Sequence, residues 1–327
     1  MLQRILAYMN FGNKQLYLAP LAGITDTVFR TICKKNGADC VMSEMVSAEG
    51  IFHNARNTKD LVRFNDDERP IGIQLFGADA AHLAYAAAFI EEHAHPDFID
   101  LNCGCPVPKV VKKNGGSALM KTPELFKNII TRMVKSVSIP VTVKLRSGWD
   151  MNAFTDVAYA KIAEDCGAAA VIIHPRTKSM MFGGHSMWER IAEVKNPVSV
   201  PVIGNGDIHT PANAEAMFTQ TGCDAIMIGR GAMGNPWIFS RIRQQEQTGQ
   251  ALPVSIAERG TTALEHIRLF VSVYGSGRVI CELKKHIAWY CKGVPASGSL
   301  RNDVFHTNSI EELQTLIRTA FGIHDAE

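Results

Sequence analysis

The sequence predicts an α/β fold in which eight βα units close into a barrel and a smaller helical domain follows. Three observations carry that prediction. Short β-rich runs recur at intervals suited to right-handed βα units, and between them lie stretches whose apolar residues repeat at three- and four-residue steps. After about residue 245 the strand signals cease while helical ones continue. Eight consecutive units of this kind close most simply as a TIM barrel.

The predicted strands are Tyr17–Pro20, Cys40–Glu44, Ile71–Leu75, Phe98–Asn102, Val141–Lys144, Ala170–His174, Pro201–Asn205 and Ala225–Gly229. Helical periodicity marks Thr27–Lys35, Ala80–His93, Pro123–Val137, Asp156–Cys166 and Pro211–Thr219. Thr122-Pro123 and Thr210-Pro211 place a capping residue before a proline at the first helical position, where its missing N–H costs nothing. Beyond the linker Gly249–Pro253, the segments Ile256–Tyr274, Arg278–Lys292 and Ile310–Phe321 read as amphipathic helices. The expected division is a barrel over residues 1–248 and a helical, partner-reading domain over 249–327.

Composition narrows the function classes. A chain of 327 residues, 46% hydrophobic and 20% charged, is long enough for a barrel and a smaller domain. Its 34 Lys and Arg nearly balance 32 Asp and Glu, so any polyanion site must arise from local patches. The eight cysteines are too sparse for a disulfide scaffold and lack zinc-site spacing, which predicts reduced thiols and no metal. No run approaches the roughly 20 apolar residues of a membrane span, and Met1–Gln15 lacks the order of a secretory signal. The expectation is a cytoplasmic enzyme with no membrane and no evident obligate protein partner.

In a barrel the carboxyl ends of all strands face one pocket, so the residues closing each strand form a candidate site. The run Leu101-Asn102-Cys103-Gly104-Cys105-Pro106 ends the fourth strand, and Cys105 is the catalytic candidate there. Cys103 reads as packing. Gln74, Asn102, Lys144, His174, Asn205 and Asp207 stand at strand ends with amides, a cation, an imidazole and a carboxylate, while Pro20, Leu21 and Ala22 bring backbone groups. Gly204 to Asp207 and Gly229-Arg230-Gly231 end the last two strands, where bare backbone and a guanidinium suit a phosphate. The run Gly229 to Gly234 also matches a dinucleotide fingerprint, but it closes the last strand instead of the first, which rejects that fold.

The runs Ala19 to Asp26, Ser43-Glu44-Met45, Gln74 to Gly77, Asn102 to Pro106, Lys144 to Trp149, His174 to Thr177, Asn205-Gly206-Asp207 and Gly229-Arg230 together resemble the tRNA-dihydrouridine synthases, most of all their bacterial B-type branch. The resemblance implies an FMN-bearing barrel with a helical tRNA-binding domain, which reduces the C5=C6 bond of a uridine with NADPH or NADH. It also implies roles for named residues. Pro20, Leu21 and Ala22 would line the flavin, Gln74 and Lys144 would meet its polar edge, and His174 would lie beside it. Asn205, Gly206, Asp207, Gly229 and Arg230 would hold the ribityl phosphate. Asn102 and Arg176 would lie near the flipped uracil, and Cys105 would match the proton donor.

A thiol with an ordinary pKa of roughly 8.5 stays mostly protonated at neutral pH, which suits an acid. Between Arg278 and Arg301 the basic residues Lys284, Lys285 and Lys292 join them against the single acidic Glu282, with Trp289 and Tyr290 interleaved. Lys284 and Lys285 are the tRNA-contact candidates. Three rival readings stay open at this point. One is a flavin barrel acting on a free pyrimidine, a dihydropyrimidine or dihydroorotate type of dehydrogenase. Another is an RNA-binding barrel without turnover, and the third a flavin-free aldolase or isomerase using Lys144 as an amine.

Overall fold

Side chains alternate across a strand, so each strand of a closed barrel sends one set inward and the other against the helices. The computed structural model describes residues 13–55, 61–275 and 280–323 and shows this sorting directly. Its strands are β1 (Gln15–Leu18), β2 (Val41–Ser47), β3 (Ile71–Phe76), β4 (Phe98–Cys103), β5 (Val141–Asp150), β6 (Ala153–Phe154), β7 (Ala170–Thr177), β8 (Val202–Asn205) and β9 (Ala225–Ile228). Eight of them are parallel, in the order β1-β9-β8-β7-β5-β4-β3-β2, and β6 is a short antiparallel return on β5. The ring closes where Tyr17 bridges Cys40 and Leu18 N donates to Cys40 O at 2.9 Å. The fold is a TIM barrel followed by a helical region.

Tyr17, Met42, Phe98, Ala170, Ile172, Ile203, Ala225 and Met227 fill the barrel interior as one apolar cluster. Gly72 is required there, because a Cβ would collide with the Phe98 ring. Two residues further along the same inward register the chemistry turns polar. Asn102 pairs with Lys144, Gln74 with Asp100, and Asn205 with Met227. The alternate residues, Leu101, Cys103, Val143, Leu145, Val171 and Ile173 among them, are buried in the shell between strands and helices. Cys103 is thus fully buried packing.

The helices follow from their caps. Thr210 Oγ1 accepts from Asn213 N, and the Asn213 side chain returns the bond, so Pro211–Thr221 starts on a reciprocal cap. Thr122 makes no such side-chain bond, and Pro123–Ser136 relies on Pro123 at its first position. Gly249, at φ +76°, ends Ile238–Thr248, the last helix of the barrel.

The C-terminal helices are Ile256–Tyr274, Ile280–Tyr290, Ser297–His306 and Ile310–Phe321. The third is absent from the sequence reading because Ser297-Gly298-Ser299 resembles a loop. Their shared core includes Phe270, Leu283, Ile287, Leu313 and Phe321, and it also takes in Val28, Ile32 and Trp237 from the barrel side. Gly260 lets Ile256–Tyr274 approach Phe321 so closely that a Cβ would collide with it. Among the described residues no helix is long and apolar enough to cross a membrane.

Candidate active site

A cavity of about 580 Å³ opens at the carboxyl ends of the strands. Pro20, Leu21, Ala22, Asn102, Cys105, Lys144, His174, Arg176, Asn205, Gly206, Asp207, Gly229 and Arg230 all line it. The sequence-predicted residues that it gathers come from β1, β4, β5, β7, β8, β9 and the loops that follow them. The turn after β1 is held by Thr25, whose hydroxyl accepts from Leu21 N at 3.0 Å and sits 3.2 Å from Leu21 O.

Cys105 sits just beyond β4, where Pro106 and Pro108 prevent the strand from continuing. Asn102 Oδ1 accepts from Gly104 N at 3.2 Å and Cys105 N at 2.9 Å, folding the loop back over the strand end. Ser117 N donates to Cys105 O at 3.1 Å. Burial pushes the Cys105 thiol above its usual value, while a bond to the Val107 backbone and the Arg146 cation oppose that rise only in part. The thiol is therefore protonated at neutral pH.

Lys144 Nζ donates to Asn205 Oδ1 at 2.8 Å, and Asn205 Nδ2 donates to Met227 O at 2.7 Å. Burial lowers the Lys144 ammonium to about 7, against the pull of the Asp100 carboxylate and with a smaller push from Arg146. An ammonium carries three donors, and the single side-chain bond leaves it able to serve an anion or a polar ring edge in the cavity.

The end of β7 and the turn after β9 add two guanidinium groups, Arg176 and Arg230, to the lining. Arg176 Nη2 donates to both Asp207 oxygens at 2.8 and 2.7 Å, and its other bonds reach Gly183 O at 3.0 Å and Gly184 O at 2.8 Å. Burial raises the Asp207 carboxyl, but the bonds from Arg176 and Ser186 N outweigh it and leave the group below the usual carboxylate range. Arg176 Nη1 lies 3.3 Å from His174 Nε2; a guanidinium only donates, so Nε2 accepts and the proton sits on Nδ1. Burial and the Lys144, Arg146, Arg176 and Arg230 cations hold that imidazole neutral, far below its ordinary pKa.

Arg230 is exposed and loosely held, with Nη2 3.3 Å from Asp207 Oδ1 and Nη1 3.5 Å from Phe182 O. Gly206 takes φ +140°, and a Cβ there would strike Ser186 Oγ; on Gly231 it would strike Ile208 O. Glycine at both places leaves bare backbone beside Arg230.

Two predicted residues stand back from the cavity and the surface, and a third reaches the lip. Gln74 is fully buried behind the lining, with Nε2 donating to Asp100 Oδ2 at 2.7 Å and Oε1 accepting from Asn102 at 2.8 Å. Lys284 turns into the helical region and donates to Phe305 O at 3.0 Å, which removes it from the surface. Lys285 comes to the lip of the barrel, where a methyl placed on Gly23 would lie 3.7 Å from its Nζ. Arg278 falls outside the described residues.

The sequence reading missed Arg146, which lines the cavity and bonds Gly104 O, Thr177 O and Met181 O, each at 2.7 Å. Its signal was available, since Arg146 lies two residues past Lys144 on the same inward face. Among the described residues no cluster of His, Cys, Asp and Glu is placed to hold a metal ion.

Comparison with known proteins matches residues 17–322 to the family model described as dihydrouridine synthase. The chain belongs to the tRNA-dihydrouridine synthase family. It is 42% identical over 278 residues to tRNA-dihydrouridine synthase B of Shewanella oneidensis, covering 84% of this chain and 86% of that one. A probable tRNA-dihydrouridine synthase of Aquifex aeolicus is 34% identical over 315 residues, 95% and 98% of the two chains. Among solved structures, histamine dehydrogenase from Rhizobium sp. 4-9 superposes with a TM-score of 0.53 at 13% identity, covering 79% of this chain and 49% of that one, a likeness of fold alone. As a member of the tRNA-dihydrouridine synthase family, the chain is an enzyme whose family substrate is tRNA, which disfavours the free-pyrimidine reading.

Proposed function

We propose that the cavity binds FMN, takes its reducing equivalents from NADPH or NADH, and reduces the C5=C6 bond of a tRNA uridine to 5,6-dihydrouridine. The observation that carries this reading is the meeting, in one cavity, of a buried protonated thiol (Cys105), a partly satisfied buried ammonium (Lys144) and a bare-backbone cationic end at Gly206, Gly229 and Arg230. These groups fit FMN chemically, with a phosphate for Arg230 and the glycines and a polar ring edge for Lys144. Pro20, Leu21 and Ala22 offer backbone to the ring, and His174, Asn205 and Asp207 complete the set; Gln74 supports it from behind. When bound, the flavin supplies a hydride to C6 of the uracil.

Cys105 gives its proton to C5, which takes it with the electron pair of the broken π bond; the thiolate is then reprotonated from solvent. Asn102 and Arg176 face the base. Asn102 Nδ2 rests 3.1 Å from Met45 Sδ, a weak contact that a uracil carbonyl can replace. Lys144 stabilises negative charge beside it because the surroundings are buried and prearranged. A uridine stacked in folded RNA must be turned out to reach this cavity, so the enzyme needs a grip on the RNA backbone. We assign that grip to residues 249–327, with Lys285 at the barrel lip as one of its cations, and place the enzyme in the cytoplasm with its tRNA substrate.

The test is the absorbance spectrum of the purified protein, followed by anaerobic NADPH and then unmodified tRNA. Bleaching by NADPH and reoxidation by tRNA, with free uracil and orotate inert, is the expected result. Reoxidation by the free bases instead overturns the assignment of tRNA as the acceptor, and a protein that retains no flavin even after added FMN overturns the cofactor.

A further inference from the structure

Three buried side chains, Asn102 in the cavity wall with Gln74 and Asp100 behind it, form a line of hydrogen bonds whose direction is fixed at both ends. At one end Gly104 N and Cys105 N can only donate, so the Asn102 atom facing them is Oδ1. Asn102 must therefore present Nδ2 to Gln74, which accepts through Oε1 at 2.8 Å and turns Nε2 to Asp100 at 2.7 Å. At the other end Asp100 accepts from both Gln74 and Thr142 Oγ1, the latter at 2.6 Å. Gln74 and Asp100 are fully buried, and neither lines the cavity. Two charged or amide side chains in a barrel core cost desolvation energy, and apolar residues would fill the same space.

We propose that Asp100 and Gln74 are positioning residues: a directional relay from Asp100 through Gln74 to Asn102 holds the backbone of Gly104 and Cys105 and so fixes the thiol in the cavity wall. The inference rests on the reading of Cys105 as the proton donor. The relay needs a donor facing an acceptor at every link and a free acceptor for Asn102 Nδ2, and it depends neither on which side of the 74–100 link donates nor on where the charge sits. Exchanging the two side-chain types, in the double variant Gln74→Glu with Asp100→Asn, preserves every bond. The amide introduced at position 100 donates to the carboxylate introduced at position 74 and accepts from Thr142, and that carboxylate also accepts from Asn102. In Gln74→Met the middle link is lost at similar volume.

The full-length protein, free of flavin and reconstituted with FMN, is treated with iodoacetamide, and Cys105 alkylation is read by peptide mass spectrometry. Exposed Cys281 serves as the internal standard. Gln74→Met should raise Cys105 alkylation in the flavin-free protein about tenfold, as the pinned loop loosens. It should also lower the single-turnover rate with tRNA about a hundredfold, through misplacement of the thiol. The exchange variant should restore both to near the parent values. Unchanged alkylation in Gln74→Met, or an exchange variant as impaired as Gln74→Met, overturns the relay. A change confined to FMN affinity likewise overturns it and makes Gln74 a direct cofactor contact.

Cys105→Ala is run in parallel. If it turns over normally, the proton-donor reading fails; if it is inactive while Gln74→Met is normal, only the relay fails. Should Gln74→Met not fold, Asp100→Leu, which removes the terminal acceptor, replaces it with the same two readings.

Discussion

Lys144 Nζ, on β5, reaches across the barrel to donate to Asn205 Oδ1, on β8, at 2.8 Å. That bond ties the ammonium to the strand whose next residues form the glycine turn, so the cation and the proposed phosphate cradle move as one unit.

The lowered Lys144 pKa gives a pH dependence of FMN binding with a definite sign. In the free protein the ammonium loses its proton near pH 7. A ring-edge acceptor beside it bonds the ammonium better than the amine and raises that value, so binding takes up a proton, and affinity must fall as pH rises from 7 toward the value in the complex. The slope should approach about one log unit in Kd per pH unit and vanish in Lys144→Met. Flavin fluorescence titrations between about pH 6 and 9, spanning that window, check it; equal slopes in both proteins would assign the dependence elsewhere.

Cys105→Ala should keep flavin and tRNA binding while lowering multiple turnover by roughly 10²- to 10⁴-fold, the usual range for losing a positioned acid. Rapid-mixing measurement of flavin reoxidation by tRNA isolates the step.

Arg230 and Arg176 should respond differently to alanine. Arg230 has only a loose ion pair, at 3.3 Å, so Arg230→Ala should fold normally. It should weaken FMN binding about tenfold or more through a lost charge-assisted bond. Arg176 is 1% exposed and holds Asp207, so Arg176→Ala leaves a carboxylate without its main partner and should lower Tm as well. Melting curves with and without FMN separate the two effects.

The neighbouring lysines Lys284 and Lys285 also divide. Lys284→Ala removes a buried side chain together with its bond to the part-buried Phe305 carbonyl and should cost about 1 to 3 kcal/mol of stability. Lys285→Ala, at the lip, should leave Tm unchanged, raise KM for tRNA and flatten its salt dependence. A tRNA titration at several salt concentrations tests this, and a fall in Tm for Lys285→Ala would contradict it.

Gly260→Ala should destabilise the protein by about 1 to 3 kcal/mol, since its methyl collides with Phe321 and must wedge two packed helices apart. Deleting residues 254–327 is a poorer test of RNA binding, because it would expose Val28, Ile32 and Trp237, which are buried in the shared core.

What the sequence determined by itself is the barrel and the polar strand ends from which its pocket is drawn. Strand runs such as Phe98–Asn102 and Ala170–His174 are short, largely apolar and closed by a polar residue, and parallel strands in a barrel bring those carboxyl ends to one mouth. Thr27–Lys35, Ile256–Tyr274 and Ile310–Phe321 agree with the observed helices residue for residue, since each has a strong apolar stripe and a capping residue at its start. Tertiary structure alone decided which polar residues meet the cavity and which stand behind it. Gln74 and Asn102 both close strands, yet only Asn102 lines the pocket. Asp100 was invisible as part of the site because it lies mid-strand in an apolar run. Lys284 and Lys285 are adjacent, but they lie about 100° apart around a helix, so one turns inward to Phe305 while the other reaches the lip. Depth along a barrel and the partner across it are long-range facts, set by strand stagger and helix docking, which no local pattern encodes.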